Sequence, residues 1–345
     1  MTYLDYSATT KISDQALEAT LKYLFTKATP TDIKTYQTKL KKILNIDHDI
    51  IFTSGSTESN NYAIKGICLN SNKKEIITSE LEHSSIFATL EYLKSKNYLI
   101  KTIPLENQTL SLTELENAIT KDTALITITA VNSETGILNP IKEISKIAKK
   151  HNIPFHCDMT QSIGKINLPL KDIDLISISS HKVYGPKGIG LLLKNKNLKL
   201  KPLIYGTRNY NLGLIKGFQI ALEESLTNLE ENYKKVEDLN NYLKDNLKSL
   251  PNIIINQSPN SIPHILNISV LNFKPETFLH YLEMSHIYIS TQSACSTNDY
   301  SKAVYALTKD KNLAQTSVRI SLSPKTTKEE ITKLINCIKR SQNGN

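Results

Sequence analysis

Long apolar runs are missing from this sequence. The longest, such as Ala124 to Val131, fall far short of the roughly 18 residues that a membrane span needs, so no transmembrane helix is expected. The start, Met1 to Thr10, carries Asp5 and no basic residue ahead of an apolar run; it lacks the layout of a secretory signal, and a cytoplasmic protein is expected. Cysteine is scarce. Cys68, Cys157, Cys295 and Cys337 stand too far apart for paired zinc or redox motifs, so no metal site is expected and free thiols in a reducing compartment fit best. Arginine is scarcer: only Arg208, Arg319 and Arg340 occur among 42 basic residues. The lysines are spread along helix-like segments and form no tract interleaved with aromatics, so the formal charge of +9 does not imply a nucleic-acid partner. In a chain that fills its surface with lysine, an arginine kept inside a motif points to bidentate recognition of a carboxylate or phosphate, and Arg319 is such a case. Glycine is rare and unevenly placed, with 11 in all, none before Gly55 and none between Gly217 and Gly344. Special backbone geometry is therefore concentrated in the middle of the chain.

What is present is the material of a folded α/β protein. At 345 residues, 39% apolar and 22% charged, the chain is long enough for two domains. From residue 50 onward, β-rich runs near 50–53, 75–78, 99–103, 124–131, 153–157, 174–179 and 189–193 alternate with helix-period segments near 57–69, 84–95, 112–120 and 140–150. That alternation implies a mainly parallel central sheet covered by helices. One long amphipathic helix is expected from about Ile215 to Leu250, ended by Pro251, with a smaller α+β region after it. The large domain is placed at 12–225, and the small one at 1–11 with 226–345.

In open α/β sheets, ligands bind beyond the carboxyl ends of the strands. The residues just past each expected strand end here are Thr53-Ser54-Gly55-Ser56-Thr57, Glu82-His83, Asn132-Ser133-Glu134, Asp158 with Gln161, and Ser179-Ser180-His181-Lys182. The first is a small-residue turn into a helix, suited to a phosphate. Taken together, a phosphate turn, a histidine, an aspartate and a lysine are the parts that pyridoxal phosphate (PLP) chemistry requires. The lysine forms the Schiff base, the carboxylate keeps the pyridine nitrogen protonated, and a helix N-terminus takes the phosphate. Lys182, Asp158 and the Ser54 to Thr57 turn would supply them.

The motifs run almost end to end: Y-L-D-Y-S-A-T-T at 3–10, F-T-S-G-S-T-E-S-N-N at 52–61, V-N-S-E-T-G at 131–136, H-C-D-M-T-Q-S at 156–162, S-H-K-V-Y-G-P-K-G-I-G at 180–190, S-A-C-S at 293–296 and S-V-R-I-S-L at 317–322. In these the chain resembles the cysteine desulfurases of the NifS/IscS type, within the class V aminotransferase superfamily of PLP-dependent enzymes of fold type I. The resemblance implies conversion of L-cysteine to L-alanine, with Cys295 as the nucleophile that carries sulfur as a persulfide. It further implies that His83 stacks on the pyridine ring, Asp158 pairs with its nitrogen and Gln161 bonds its phenolic oxygen. By the same resemblance Ser56, Thr57, Ser179 and His181 hold the phosphate, while Arg319 and Asn132 hold the substrate carboxylate. A homodimer and a sulfur-acceptor or scaffold protein for iron-sulfur or tRNA thiolation work are the implied partners.

The chain departs from the family pattern in three internal places. A G-N-P-S-S-x-H segment is replaced by Thr26-Lys27-Ala28-Thr29-Pro30-Thr31-Asp32, a second asparagine becomes Ser133, and the threonine that reaches the phosphate of the dimer mate becomes Asn211 in a shortened Gly206 to Asn211 stretch. These losses leave open a weakly catalytic or non-catalytic partner that pairs with a complete paralogue, or another class V chemistry. Retention of Cys295 with Arg319 favours the desulfurase. The Gly206 to Asn211 and Phe25 to Asp32 stretches are expected near a subunit interface or the mouth of the site.

Overall fold

The computed structural model describes residues 1–206, 208–291 and 299–343. Its main sheet has seven strands: β1 Asp49–Thr53, β2 Glu75–Ser79, β3 Leu99–Ile103, β4 Thr123–Thr129, β5 Phe155–Asp158, β6 Leu175–Ser179 and β7 Gly190–Lys194. Their order across the sheet is β3-β2-β4-β5-β6-β7-β1. All neighbours are parallel except that β7 runs antiparallel to both β6 and β1. Strands β4, β5 and β6 are buried at every position, so even the Thr and Ser that alternate with Ile in β4 and β6, and His156 and Asp158 of β5, lie inside the protein.

Helices α1 Asp14–Tyr23, α2 Pro30–Leu44, α3 Ser56–Cys68, α4 Ser84–Lys94, α5 Leu112–Ala118, α6 Ile141–Lys150 and α7 Leu212–Thr227 accompany this sheet. On α6 the buried Ile141, Ile144 and Ala148 form one stripe, and each isoleucine removed from water contributes about 1.5–3 kcal/mol. The chain around Thr29 to Asp32 is the first turn of α2 and is closed by a capping box: Asp32 N donates to Thr29 Oγ1, Thr29 N donates to Asp32 Oδ2, and Pro30 opens the helix.

The expected single helix from Ile215 to Leu250 is two. Helix α7 ends at Thr227, and α8 Leu229–Leu247 begins after Asn228, whose φ of −100° and ψ of 16° leave the helical region. The break has a packing cause. Phe218 and Leu222 of α7 belong to the core under the large sheet, whereas Val236, Leu243 and Leu247 of α8 belong to a second core. One straight helix would not serve both.

That second core is covered by the antiparallel sheet β8 Ile253–Ile255, β9 Ile265–Val270 and β10 Ser317–Ser321, with α9 Pro275–Met284 and α12 Lys328–Asn343. Leu4 from the start of the chain is buried in it, and Thr2–Tyr3 pairs in parallel with Ile287–Tyr288. Between β10 and the preceding elements lie two short helices, α10 Lys302–Thr308 and α11 Lys311–Gln315. Ala303 and Leu307 of α10 pack into the core of the large sheet.

Candidate active site

A cavity of about 320 Å³ opens beyond the carboxyl ends of β1, β2, β4, β5 and β6. Ser56, Thr57, His83, Asp158, Gln161, His181, Lys182 and Arg319 all line it, so eight side chains singled out in sequence, from five segments, meet in one place.

The anion-binding end is built by β1, α3 and β7. Gly55, at φ +153°, turns the chain from β1 into α3, whose N-terminus receives no side-chain cap among the described residues, leaving its first N–H groups for a ligand. Glycine is required opposite as well: a Cβ at Gly190 would lie 2.5 Å from Ile178 O and 2.7 Å from Gly55 Cα. His181 Nδ1 lies 2.9 Å from Ser179 Oγ, and burial with the nearby Lys182 pushes its imidazole down to about 4. The ring is therefore neutral at pH 7, and the tautomer in which the Ser179 hydroxyl donates to Nδ1 leaves Nε2–H for an anion. Ser179 is buried and does not line the cavity; it reaches it through His181.

At the centre, Lys182 Nζ donates to the carbonyls of Ser7 at 2.5 Å and Ala8 at 2.6 Å. Burial, reinforced by the Arg319 charge, pushes it down to about 8. Asp158 closes β5; its Oδ1 accepts from Thr160 N at 2.9 Å and Thr160 Oγ1 at 2.5 Å, and its Oδ2 accepts from Asn60 Nδ2 at 2.8 Å. Asn60 Nδ2 also reaches Ser85 Oγ at 3.0 Å, and Ser85 Oγ lies 2.9 Å from His83 Nδ1. Burial lowers the His83 imidazole from its ordinary value, keeping it neutral. Behind these groups Glu82 is buried, pairs with Ser79 Oγ and accepts from Thr129 N at 2.9 Å; burial pushes its carboxyl up to about 8.

At the other end, Arg319 Nη2 lies 2.7 Å from Asp5 Oδ1 and Nη1 donates to Ser133 O at 3.0 Å, while the buried Nε has no hydrogen-bond partner among the described residues. Ser133 and Ser290 line the cavity, and Ser290 pairs with the Arg319 backbone through both its N–H and its carbonyl. Cys295 lies outside the described residues, in the segment that Ser290 opens. The other three cysteines are buried, which raises Cys68 to about 12 and Cys157 well above its ordinary value, so neither is a ready nucleophile. Asn132 does not join the cavity. Its Oδ1 accepts from Glu134 N, Thr135 N and Thr135 Oγ1, and its Nδ2 donates to Leu81 O. The side chain shapes its own loop and so sets where Ser133 O meets Arg319. Asn211 likewise acts locally, capping α7 by accepting from Leu214 N at 3.1 Å.

The model of the family described as Aminotransferase class-V matches this chain over residues 2–218 and 206–334. The chain is 33% identical over 362 residues to Cysteine desulfurase IscS of Clostridium botulinum, covering 95% of this chain and 91% of that one. The chain belongs to the class V aminotransferase family. Among solved structures it is similar to a NifS-like protein, with a TM-score of 0.92, 30% identity and 99% of both chains covered. It is also similar to SspA in complex with cysteine, with a TM-score of 0.80 and 29% identity over 95% of this chain and 100% of that one.

The class V family uses PLP, and the cavity fits it. An uncapped helix N-terminus with a neutral histidine suits the phosphate, a lysine with lowered proton affinity suits the Schiff base, and a carboxylate held by Asn60 and Thr160 suits the ring nitrogen. Searching only past strand ends missed Asp5, Ser7 and Ala8, which enter from the first residues of the chain, and Asn60, which reaches the site from within α3. The Y-L-D-Y-S-A-T-T run was the available signal for the first three. Lys165, four residues beyond Gln161, carried none.

Proposed function

We propose that this protein is a homodimeric cysteine desulfurase, converting L-cysteine to L-alanine and holding the sulfur as a persulfide on Cys295. The observation that carries this reading is the convergence of Lys182, Asp158 and Arg319 on one cavity whose rim, at Ser290, opens the segment bearing Cys295. The names of its relatives and the cysteine bound to SspA support it. PLP, when bound, draws electron density from the substrate's α-carbon. The role of Asp158 is to keep the ring nitrogen protonated, that of Arg319 to orient the substrate carboxylate, and that of Lys182 to move the α-proton once its amine is released. The Cys295 thiolate attacks the substrate sulfur; an S–S bond forms as the substrate C–S bond breaks, and the carbon takes up a proton to give alanine.

The dimer is proposed from an apolar surface. Leu21, Phe25, Ile204 and Tyr205 are exposed, Phe25 at 96%, and the bridge between Lys27 and Asn211 brings the Phe25 and Gly206 to Asn211 stretches together. Among the described residues no helix is long and apolar enough to cross a membrane. A cytoplasmic location and delivery of sulfur to an acceptor protein for iron-sulfur cluster assembly complete the proposal.

The test is chemical. Purified protein given L-cysteine and a reductant should release alanine and sulfide in equal amounts, and without reductant mass spectrometry should find the added sulfur on Cys295. Cys295→Ser should lose sulfur transfer yet keep the absorbance change on adding cysteine. Absence of alanine from the wild type would overturn the reading.

A further inference from the structure

Lys165 follows β5 and its turn and is unused by the chemistry above. Its ammonium donates to Gln161 Oε1 at 2.9 Å, and Gln161 Nε2 donates to Ser7 O at 2.9 Å. These two partners decide which way the amide faces. An ammonium can only donate and a carbonyl can only accept, so the oxygen edge must point to Lys165 and the NH₂ edge to Ser7. Gln161 lines the cavity, and Ser7 O is the same carbonyl that holds Lys182. The amide has a second N–H beyond the one spent on Ser7.

Placing a cation here is unfavourable. Lys182 and Arg319 both repel it, and burial together with them lowers Lys165 to about 7; the buried His264 in turn is lowered partly by Lys165. A lysine retained against that opposition, with a hydrogen bond to a cavity-lining amide, calls for a purpose.

We propose that Lys165 is a positioning residue: by fixing the oxygen edge of Gln161 it turns the free N–H of that amide into a donor for the phenolic oxygen of bound PLP. This rests on the cofactor reading above. A donor at that oxygen stabilises the anion, so it lowers the pH at which the Lys182–cofactor linkage loses its proton. With Lys165 replaced, Gln161 can rotate and present its oxygen instead, which disfavours the anion.

The experiment is an absorbance titration of the full-length protein loaded with PLP, from pH 5 to 10. Lys165→Met should raise the midpoint by about one unit and lower kcat about tenfold while changing KM less than twofold, and Lys165→Arg, which restores the donor, should return the midpoint. Lys165→Met added to Gln161→Met should shift it no further than Gln161→Met does alone. Should Lys165→Met fail to fold, Lys165→Ala carries the same expectation. An unmoved midpoint in a folded Lys165 variant overturns the proposal, as does an additive shift in the double variant, which would mean that the charge acts directly. No PLP band in the wild type would overturn the cofactor reading and this proposal with it, whereas a band with an unmoved midpoint overturns this proposal alone.

Discussion

The Arg319 guanidinium and the Asp5 carboxylate meet at 2.7 Å, joining the first turn of the chain to a strand near its end, with the arginine side chain only 4% exposed. Asp5 also forms a parallel bridge with Ser321, the last residue of that strand. Replacing the carboxylate by an amide keeps an acceptor for Nη2 but removes the negative charge that the buried guanidinium meets here. Asp5→Asn should therefore cost about 3 kcal/mol, read by urea unfolding followed by circular dichroism. An unchanged midpoint would mean the pair contributes no net stability.

Cofactor loading should depend on Lys182 in its neutral form. With its proton affinity lowered to about 8, about a tenth of the amine is free at pH 7, against a fraction on the order of one in several thousand at the ordinary value. The second-order rate of PLP uptake by the apoprotein should rise with pH and level off above about 8. A rate still climbing tenfold per unit at pH 9 would show that burial does not lower the lysine.

Glu82 sets a second pH dependence. Its carboxyl is raised from its ordinary value of 4.5 to about 8 in the folded protein, so the folded state binds the proton more tightly. The contribution is present below about 4.5 and is lost as pH rises through about 8. Glu82→Gln mimics the protonated form and keeps both hydrogen-bonding edges. Its melting temperature should gain on the wild type steadily between pH 5 and 8, and a constant difference over that range would refute the buried neutral carboxyl.

Gly190→Ala should damage the anion cup without changing any side chain that lines it. The added Cβ would meet Ile178 O and Gly55 Cα at 2.5 and 2.7 Å, both backbone atoms that cannot swing aside. Overpacking of this kind costs about 1–3 kcal/mol, and the displaced Gly55 turn should weaken PLP binding at least tenfold in a dialysis assay. Binding as tight as in the wild type would show that the turn moves without consequence.

Most of the large sheet is legible in the sequence because its signals are local. Most of its strands are short runs rich in Ile, Leu, Ser and Thr, and just past four of their ends stand Ser56, His83, Asp158 and Lys182. The single long helix misled because the apolar period carries on through Asn228 although the partner it packs against changes there. At Asn132 the motif position named the residue but not its hydrogen-bond partners, which the structure places in its own loop and at Leu81 O.

Residue order alone determined the alternation of strands and helices, the small-residue turn at Gly55 and the presence of Lys182, Asp158 and Cys295. Tertiary structure decided the rest: that Asp5 and Ser7 enter the cavity, that Arg319 answers to Asp5 and Ser133, and that Lys165 faces Gln161. The division has a physical reason. Backbone propensity and strand or helix period act over a few residues, whereas ion pairs, desolvation and amide orientation depend on which distant segments the folded cores press together.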